Sequence, residues 1–278
     1  MIDENSFLKQ IMQAIDDDRL PLPTLPEVAL QVQAAVEDDA STVKEIADII
    51  MIDAALSARL LQVANSPLYR GRVAVENIQM AVSRLGGKLV KGLVLSLIMR
   101  QMYQATSEVL DRHLRRMWED STTVAAISRV LSHNTPHLER EQAMLAGLIH
   151  NIGALPLLVM AEDTPGLRDD EQEIDRLIER IGPEIGKRIM KEWGFPETLA
   201  KVPTHCYDVS YDGGPEADYV DLVIAARLQT RPHCVAEHLD LSQVPAIRKV
   251  GLEPELEILE IKGVAEEVEE VEHILLST

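Results

Sequence analysis

The stretch that most constrains the fold runs from Ala143 to Gly153 and is almost entirely apolar. It ends in His150 and Asn151, and Pro156 follows shortly after Gly153. An apolar run of this length that is closed by glycine and proline is typical of a buried helix with a glycine C-cap. We therefore predict a core helix that places His150 and Asn151 below the protein surface.

The remaining apolar residues also favour helices. Aromatic residues make up only 3% of the 278 residues, and Ala, Leu, Ile, Val and Met fill the apolar positions at helical spacing. The alternation typical of strands is scarce. We predict an all-α protein of two lobes, with an N-terminal helical lobe over residues 1–105 and a second helical lobe over 106–235. An acidic amphipathic segment covers 236–278.

The charge of the chain excludes some classes of partner. There are 46 acidic and 27 basic residues, and the formal net charge is -19. This charge repels nucleic acid and anionic lipid. We find no apolar run near the roughly 18 residues that a membrane helix needs and no signal pattern, so we expect a cytoplasmic protein that binds neither membrane nor nucleic acid. Cys206 and Cys234 lack a paired spacing, and we interpret both as free thiols.

Several helix starts can be predicted from capping residues. Thr24 and Thr42 each precede a glutamate by three residues, which is the spacing of a capping box. Asp53 and Asn77 are further N-cap candidates. The segment from Asn77 to Tyr103 could imitate a DNA-reading helix-turn-helix, but its second helix is too apolar and carries few basic residues, which favours an ordinary helical hairpin.

The second lobe contains further patterned helices. A long helix is predicted from about Glu108 to His133, with Ser121 on its inward face. Gly182 and Pro183 are expected to end one helix and start another. We predict that Trp193 and Phe195 plug the core near the following turn.

The C-terminal segment carries one apolar stripe from Leu256 to Leu275 opposite a glutamate-rich face, and Gly263 interrupts it. Packing on the protein's own core is the default interpretation. A short dimerising coil is the alternative, although fewer than three clean heptads are present. The sequence therefore leaves open whether the protein forms a homodimer.

Seven sequence motifs occur in a characteristic order. They are Leu20–Glu27, Asp53–Leu61, Ala64–Ser66, Leu85–Gly86, Trp118 with Ser121, Gly147–Gly153 and Trp193–Pro196. Each motif is weak alone, and their order and spacing make the combination specific. Together they resemble the HDOD domain over roughly residues 20–230.

HDOD domains are bacterial regulatory modules similar in fold to the HD and HD-GYP phosphohydrolases, so the resemblance implies an HD-like C-terminal lobe. Those enzymes bind divalent metals through histidines and an aspartate. The resemblance places the ligand positions of such a site at Ser121, His150, Asn151, Gly182, His205 and Cys206. Only His150 and His205 retain a histidine, and no carboxylate remains to offset the charge of an ion. We expect no bound metal and no catalytic residue; any metal would depend on these two histidines, with Asp120 or Asp208 as a further oxygen donor.

The resemblance and the lost ligands predict a non-catalytic bacterial signalling module that needs no cofactor and acts through protein partners in its pathway. In this pseudoenzyme His150 is a buried hydrogen-bonding residue. One alternative is a metal-dependent phosphohydrolase or phosphodiesterase acting on a nucleotide or cyclic nucleotide. Another is a sensor that binds a nucleotide in the vestigial pocket without turnover.

Overall fold

The structure is a computed structural model that describes residues 2–38, 40–99, 102, 108–230, 239–253 and 264–276. Every regular element in these ranges is helical, which confirms the all-α prediction. Two 3₁₀ turns lie at Ser132–Asn134 and Leu241–Gln243. The α-helices are α1 (Glu4–Asp16), α2 (Glu27–Glu37), α3 (Val43–Ile50), α4 (Ala54–Ala64), α5 (Ile78–Leu85), α6 (Gly87–Met99), α7 (Glu108–Leu131), α8 (Arg140–Ile149), α9 (Ala154–Glu162), α10 (Glu171–Glu192), α11 (Glu197–Ala200), α12 (Val202–His205), α13 (Tyr219–Thr230), α14 (Pro245–Lys249) and α15 (Val264–Leu276).

The chain forms two compact units that do not follow its order. One unit comprises Met1–Thr24 and Tyr103–Ile258, and the other comprises Leu25–Met102 and Leu259–Thr278. The predicted boundaries at residues 105 and 235 divide the chain into consecutive segments, whereas each unit combines two segments that are separated in sequence. The difference at the N-terminus has a packing cause, because α1 packs on α9 and α10 and buries Phe7 and Ile11.

The smaller unit, which contains α2 to α6 and α15, confirms three of the four predicted caps. Thr42 and Glu45 form a complete capping box at α3, and the side chains of Asp53 and Asn77 each accept from the backbone N–H of the third residue of α4 and α5. The capping box predicted at Thr24 is wrong. Pro26 occupies the N-cap position of α2 and makes no side-chain cap, because its ring fixes the extended entry instead.

The second helix of the predicted hairpin is a core element of this unit. Helix α6 is buried from Gly92 to Met99, and its Ser96 hydroxyl donates to the Gly92 carbonyl. A helix enclosed in this way cannot enter a DNA groove, so the hairpin interpretation is favoured. In α15 the residues Val268 and Val271 are buried, whereas Leu256 and Gly263 of the predicted stripe lie outside the described residues.

One apolar stretch passes a length-and-composition test for a membrane span. This stretch is Arg140–Glu162, and its mean hydropathy is 1.8. The prediction that the chain contains no apolar run near the length of a membrane helix is therefore wrong. The stretch is two helices, α8 and α9, and 89% of its most apolar window is buried inside the protein. Burial of this extent is that of a core element.

The larger unit is built around α7, α8, α10 and α13. Helix α10 runs without a break from Glu171 to Glu192, so the restart predicted at Gly182 and Pro183 is wrong. Pro183 only removes one backbone hydrogen bond, and the apolar face of α10 continues across it through Ile181 and Ile185.

Trp193 and Phe195 follow α10 and are buried, as predicted, with ring centroids 5.9 Å apart. The indole Nε1 of Trp193 donates to the Pro23 carbonyl at 2.8 Å. This bond ties the proline-rich stretch of the N-terminus to the end of α10.

His113 is a buried titratable side chain of the larger unit. It is 8% exposed on α7, and with Leu110, Leu158 and Ile174 it lines a small cavity. Burial lowers the pKa of His113 below its ordinary value, and the charge of Arg116 lowers it further.

We expect the melting temperature to fall as the pH falls through about 6.5, the ordinary pKa of histidine. Below that pH the unfolded chain takes up a proton that the folded His113 resists, so the stability present above it is lost. Thermal unfolding followed between about pH 7.5 and pH 5 should show a smaller decrease for His113→Leu than for the wild type. Equal decreases in the two proteins would contradict the assignment.

Candidate functional site

The end of α8 carries the predicted site residues, but its geometry differs from the prediction. The helix ends at Ile149, and residues 150–153 form a turn into α9. Gly153 has φ -66°, so it is not the left-handed glycine cap that the sequence suggested. It is needed for space instead, because a Cβ at Gly153 would lie 2.0 Å from the carbonyl oxygen of Gly182 and 2.6 Å from the amide of Gly186.

Gly147 makes a similar approach on another face of α8. A Cβ at Gly147 would lie 2.4 Å from the Cα of Ala125 on α7. Backbone therefore meets backbone on both sides of the site, with α7 at Gly147 and α10 at Gly153. These two contacts set the depth at which His150 lies.

His150 is buried with 5% of its surface exposed. Its Nδ1 lies 2.6 Å from the Gly147 carbonyl oxygen. A carbonyl only accepts, so Nδ1 carries a proton and donates it to this bond. This confirms that His150 is a buried hydrogen-bonding residue.

Ser121 and Asn151 meet below the surface. Ser121 is fully buried on the inward face of α7, as predicted, and Asn151 is 7% exposed. The Ser121 hydroxyl donates to the Met117 carbonyl at 2.7 Å and also lies 3.1 Å from Oδ1 of Asn151. The one hydroxyl proton of Ser121 is therefore shared between the Met117 carbonyl and the Asn151 amide oxygen. Neither Ser121 nor Asn151 supplies the charged oxygen donor that a divalent metal site prefers.

Cys206 also bonds inward. Its thiol donates to the His150 carbonyl at 3.3 Å, and the side chain is fully buried. Burial raises the pKa of the Cys206 thiol to about 12. The prediction of a free thiol is confirmed for Cys206, whereas Cys234 lies outside the described residues.

We expect Cys206 to resist thiol reagents in the folded protein. In a Cys234→Ser background at about pH 8, Ellman's reagent should modify Cys206 at least about 100-fold more slowly in buffer than in denaturant, because only the thiolate reacts. Absorbance at early times measures the two rates. Rapid labelling of the folded protein would contradict the burial and the raised pKa.

Gly182 and His205 complete the predicted set but do not join His150. Gly182 lies within α10 and contributes only backbone to the contact with Gly153. The ring of His205 packs at a tilt of 35° against Tyr211, with centroids 5.0 Å apart. His205 does not line the cavity that His150 and Asn151 line.

This cavity has a volume of about 180 Å³ and lies entirely within the larger unit. The site residues His150 and Asn151 share its wall with apolar side chains of α7, α10 and α13. Its charged and aromatic lining consists of Arg116, Asp120, Asp175, Glu179, Tyr207 and Arg227.

The sequence reasoning missed Arg227 and Tyr207. The guanidinium of Arg227 stacks 3.9 Å from the centroid of the Tyr207 ring, and its Nη1 donates to the Cys206 carbonyl at 2.6 Å. A signal was present, because Arg227 is the one basic residue in the largely apolar helix α13. Tyr207 directly follows the predicted pair His205 and Cys206.

Comparison with known proteins identifies the family. The HDOD domain pattern matches residues 22–209, which is more than half of the chain. The chain belongs to the HDOD family. A candidate metal-dependent phosphohydrolase from Shewanella amazonensis is 32% identical, with 98% of this chain and 99% of that one covered and a TM-score of 0.82.

Two further proteins are similar to this chain. An HDOD domain protein of unknown function from Geobacter sulfurreducens is 20% identical over 99% of this chain and 100% of that one, with a TM-score of 0.69, which supports the fold alone. An uncharacterised protein of Treponema pallidum is 26% identical over 203 residues, or 68% of this chain. The matched region spans only 37% of that relative's length.

The donors of this HDOD protein do not fit the metal site of the related HD enzymes. At four of the six expected positions stand the hydroxyl of Ser121, the amide of Asn151, the protonated thiol of Cys206 and a glycine, and only His150 and His205 are histidines. Divalent ions of hydrolases need deprotonated or carboxylate ligands. Within the described ranges, no group of three or more His, Cys, Asp or Glu side chains is arranged to hold an ion.

Proposed function

We propose that this HDOD protein is a non-catalytic cytoplasmic signalling module that acts through protein partners and uses no cofactor. The observation that carries the proposal is the contact between Ser121 and Asn151, 3.1 Å apart in the core. Two positions that would hold a metal in a related hydrolase are neutral and engaged with each other. An amide in place of a carboxylate also removes the charge that would balance the ion.

The test is a combined metal and activity measurement on the purified full chain. Elemental analysis after incubation with Mn²⁺, Fe²⁺ or Mg²⁺ should find less than stoichiometric metal. Hydrolysis of bis-p-nitrophenyl phosphate and of cyclic dinucleotides should not exceed that of His150→Ala. Stoichiometric metal together with an activity that His150→Ala abolishes would overturn the non-catalytic assignment.

The proposed role in protein interaction is tested by reconstituting a complex from purified components. Affinity purification from the source bacterium followed by titration with the purified candidate should give saturable binding, and size exclusion reports whether the chain itself is a homodimer. Failure of every purified candidate to bind would count against a protein-interaction role. Membrane and nucleic acid are not among the proposed partners, because the net charge of -19 opposes both.

A second candidate function is a metal-dependent phosphohydrolase. One observation favours it: Nδ1 of His150 is bonded to a backbone carbonyl, which is how metal-ligating histidines are oriented. The name of the Shewanella relative points the same way. The elemental analysis described above separates this candidate from the first.

A further inference from the structure

Arg227 is a partly buried cation with unused hydrogen-bonding capacity. Its side chain is 16% exposed and lines the cavity beside His150. A guanidinium has five N–H donors, and in the described part of the chain the bond to the Cys206 carbonyl is the one hydrogen bond that Arg227 donates. Its ion pair with Glu179 is 3.8 Å long, beyond hydrogen-bond length, and Glu179 is half exposed.

The guanidinium carbon of Arg227 lies over the Tyr207 ring, 3.9 Å from its centroid, and Nη1 is bonded to the Cys206 carbonyl, so two contacts orient the group. A planar, oriented guanidinium recognises a carboxylate through two parallel hydrogen bonds. A carboxylate brought into the cavity would replace the loose contact with Glu179. Arg227 therefore marks the end of the cavity that takes an anionic group.

The other charges of the cavity limit how much negative charge it accepts. Arg116 is already paired with Asp175 at 2.7 Å and with Glu171 at 3.1 Å. Asp120, Asp175 and Glu179 line the cavity, so its acidic residues outnumber its two arginines. A phosphate group, with a charge near -2, would be repelled. A ligand that carries one carboxylate and one ammonium group can pair with both the arginines and the carboxylates of the cavity.

Volume and apolar lining narrow the ligand further. About 180 Å³ corresponds to roughly six water molecules of liquid volume, which is below the roughly 300–1,000 Å³ of pockets for drug-sized molecules. A cyclic dinucleotide exceeds this space. Ile178, Ile224 and Leu228 give the cavity an apolar side for a short hydrocarbon chain.

We propose that the cavity beside His150 binds a small zwitterion of the size of a free amino acid. Its carboxylate meets Arg227, its ammonium meets the cavity carboxylates, and its apolar part lies against α10 and α13. The ligand is bound and not converted, so this inference rests on the proposed signalling function and supplies its input.

Calorimetric titration of the full chain with a panel of free α-amino acids, leucine among them, tests the inference. For leucine the matched probes are 3-methylbutylamine, which lacks the carboxylate, and 4-methylpentanoate, which lacks the ammonium. We expect at least one amino acid to bind and its two truncated analogues to bind at least about tenfold more weakly. No binding by any amino acid up to about 10 mM, or equal binding of an analogue, overturns the proposal, as does Arg227-dependent binding of phosphate or a cyclic dinucleotide.

Variants locate the site. Arg227→Met should weaken amino-acid binding at least about tenfold, whereas Arg188→Met, on α10 and away from the cavity lining, should leave it unchanged. If Arg227→Met fails to fold, Val209→Trp fills the cavity from its partly exposed loop and should abolish binding at an unchanged melting temperature. Unchanged amino-acid binding in the folded variants overturns the assignment of the site.

The two proposals fail separately. Metal-dependent hydrolysis would refute the non-catalytic function, whereas a lack of amino-acid binding refutes only the proposed ligand.

Discussion

Gly153→Ala should lower the free energy of unfolding by more than about 3 kcal/mol, because the new methyl group has no space. Its carbon would lie 2.0 Å from the Gly182 carbonyl oxygen and 2.6 Å from the Gly186 amide. Both are backbone atoms of α10, so relief requires the turn after α8 to move away from that helix. Overpacking of this kind costs about 1–3 kcal/mol where side chains can adjust, and more where backbone must shift. Urea denaturation followed by circular dichroism measures the change.

Gly182→Ala is the matched control, since it lies on the opposite side of the same contact. A Cβ at Gly182 meets only a methyl group of Ile178, at 3.9 Å. In the interior of α10 alanine is favoured over glycine by about 1 kcal/mol, so this variant should be neutral or more stable. Equal destabilisation by the two substitutions would show that the close approach at Gly153 does not limit the packing.

Lys249→Met should destabilise the protein by about 3 kcal/mol at neutral pH, because it leaves a buried carboxylate without its cation. Asp221 on α13 is fully buried, and burial raises the pKa of its carboxyl group above the ordinary value. Lys249 on α14 has a side chain only 7% exposed and lies 3.5 Å from Asp221 and 2.7 Å from Asp212. Arg248→Met, at an exposed position on the same helix, should change the unfolding free energy little.

The loss in Lys249→Met should diminish as the pH falls. A carboxyl group whose folded pKa is raised contributes its stability below the unfolded value, near 3.9, and loses it as the pH rises through the folded value. Acid therefore neutralises the unpaired Asp221 and narrows the gap to the wild type. Denaturation at about pH 7 and pH 4.5 compares the two proteins. A gap that is constant across this range would indicate lost packing of the lysine stem instead of an unpaired charge.

Local signals in the sequence predicted the helices well. Thr42, Asp53 and Asn77 cap helices where their spacing indicated, since each bond spans only three residues. The helix break predicted at Pro183 is wrong because the apolar face of α10 packs on neighbouring helices, and this tertiary packing outweighs one missing backbone hydrogen bond. The domain boundaries depend on packing between distant segments, which no local pattern records.

The site was only partly predictable. The burial of His150 and Ser121 followed from apolar neighbours and helical spacing. The cavity itself did not, because Arg227 lies 77 positions after His150 and reaches it only through the fold. Gly153 was recognised as significant for the wrong reason, since a missing Cβ looks the same in sequence whether it permits an unusual dihedral angle or a close contact.

The hydrogen bond from the Cys206 thiol to the His150 carbonyl also limits how this protein could evolve. A histidine at position 206 would have to displace a fully buried thiol, and an aspartate at 151 would place a charge beside the hydroxyl of Ser121. Each of these substitutions alone leaves other expected ligand positions without a metal donor. A metal site at the end of α8 would therefore require several substitutions at once, and selection acting on one change at a time meets a barrier.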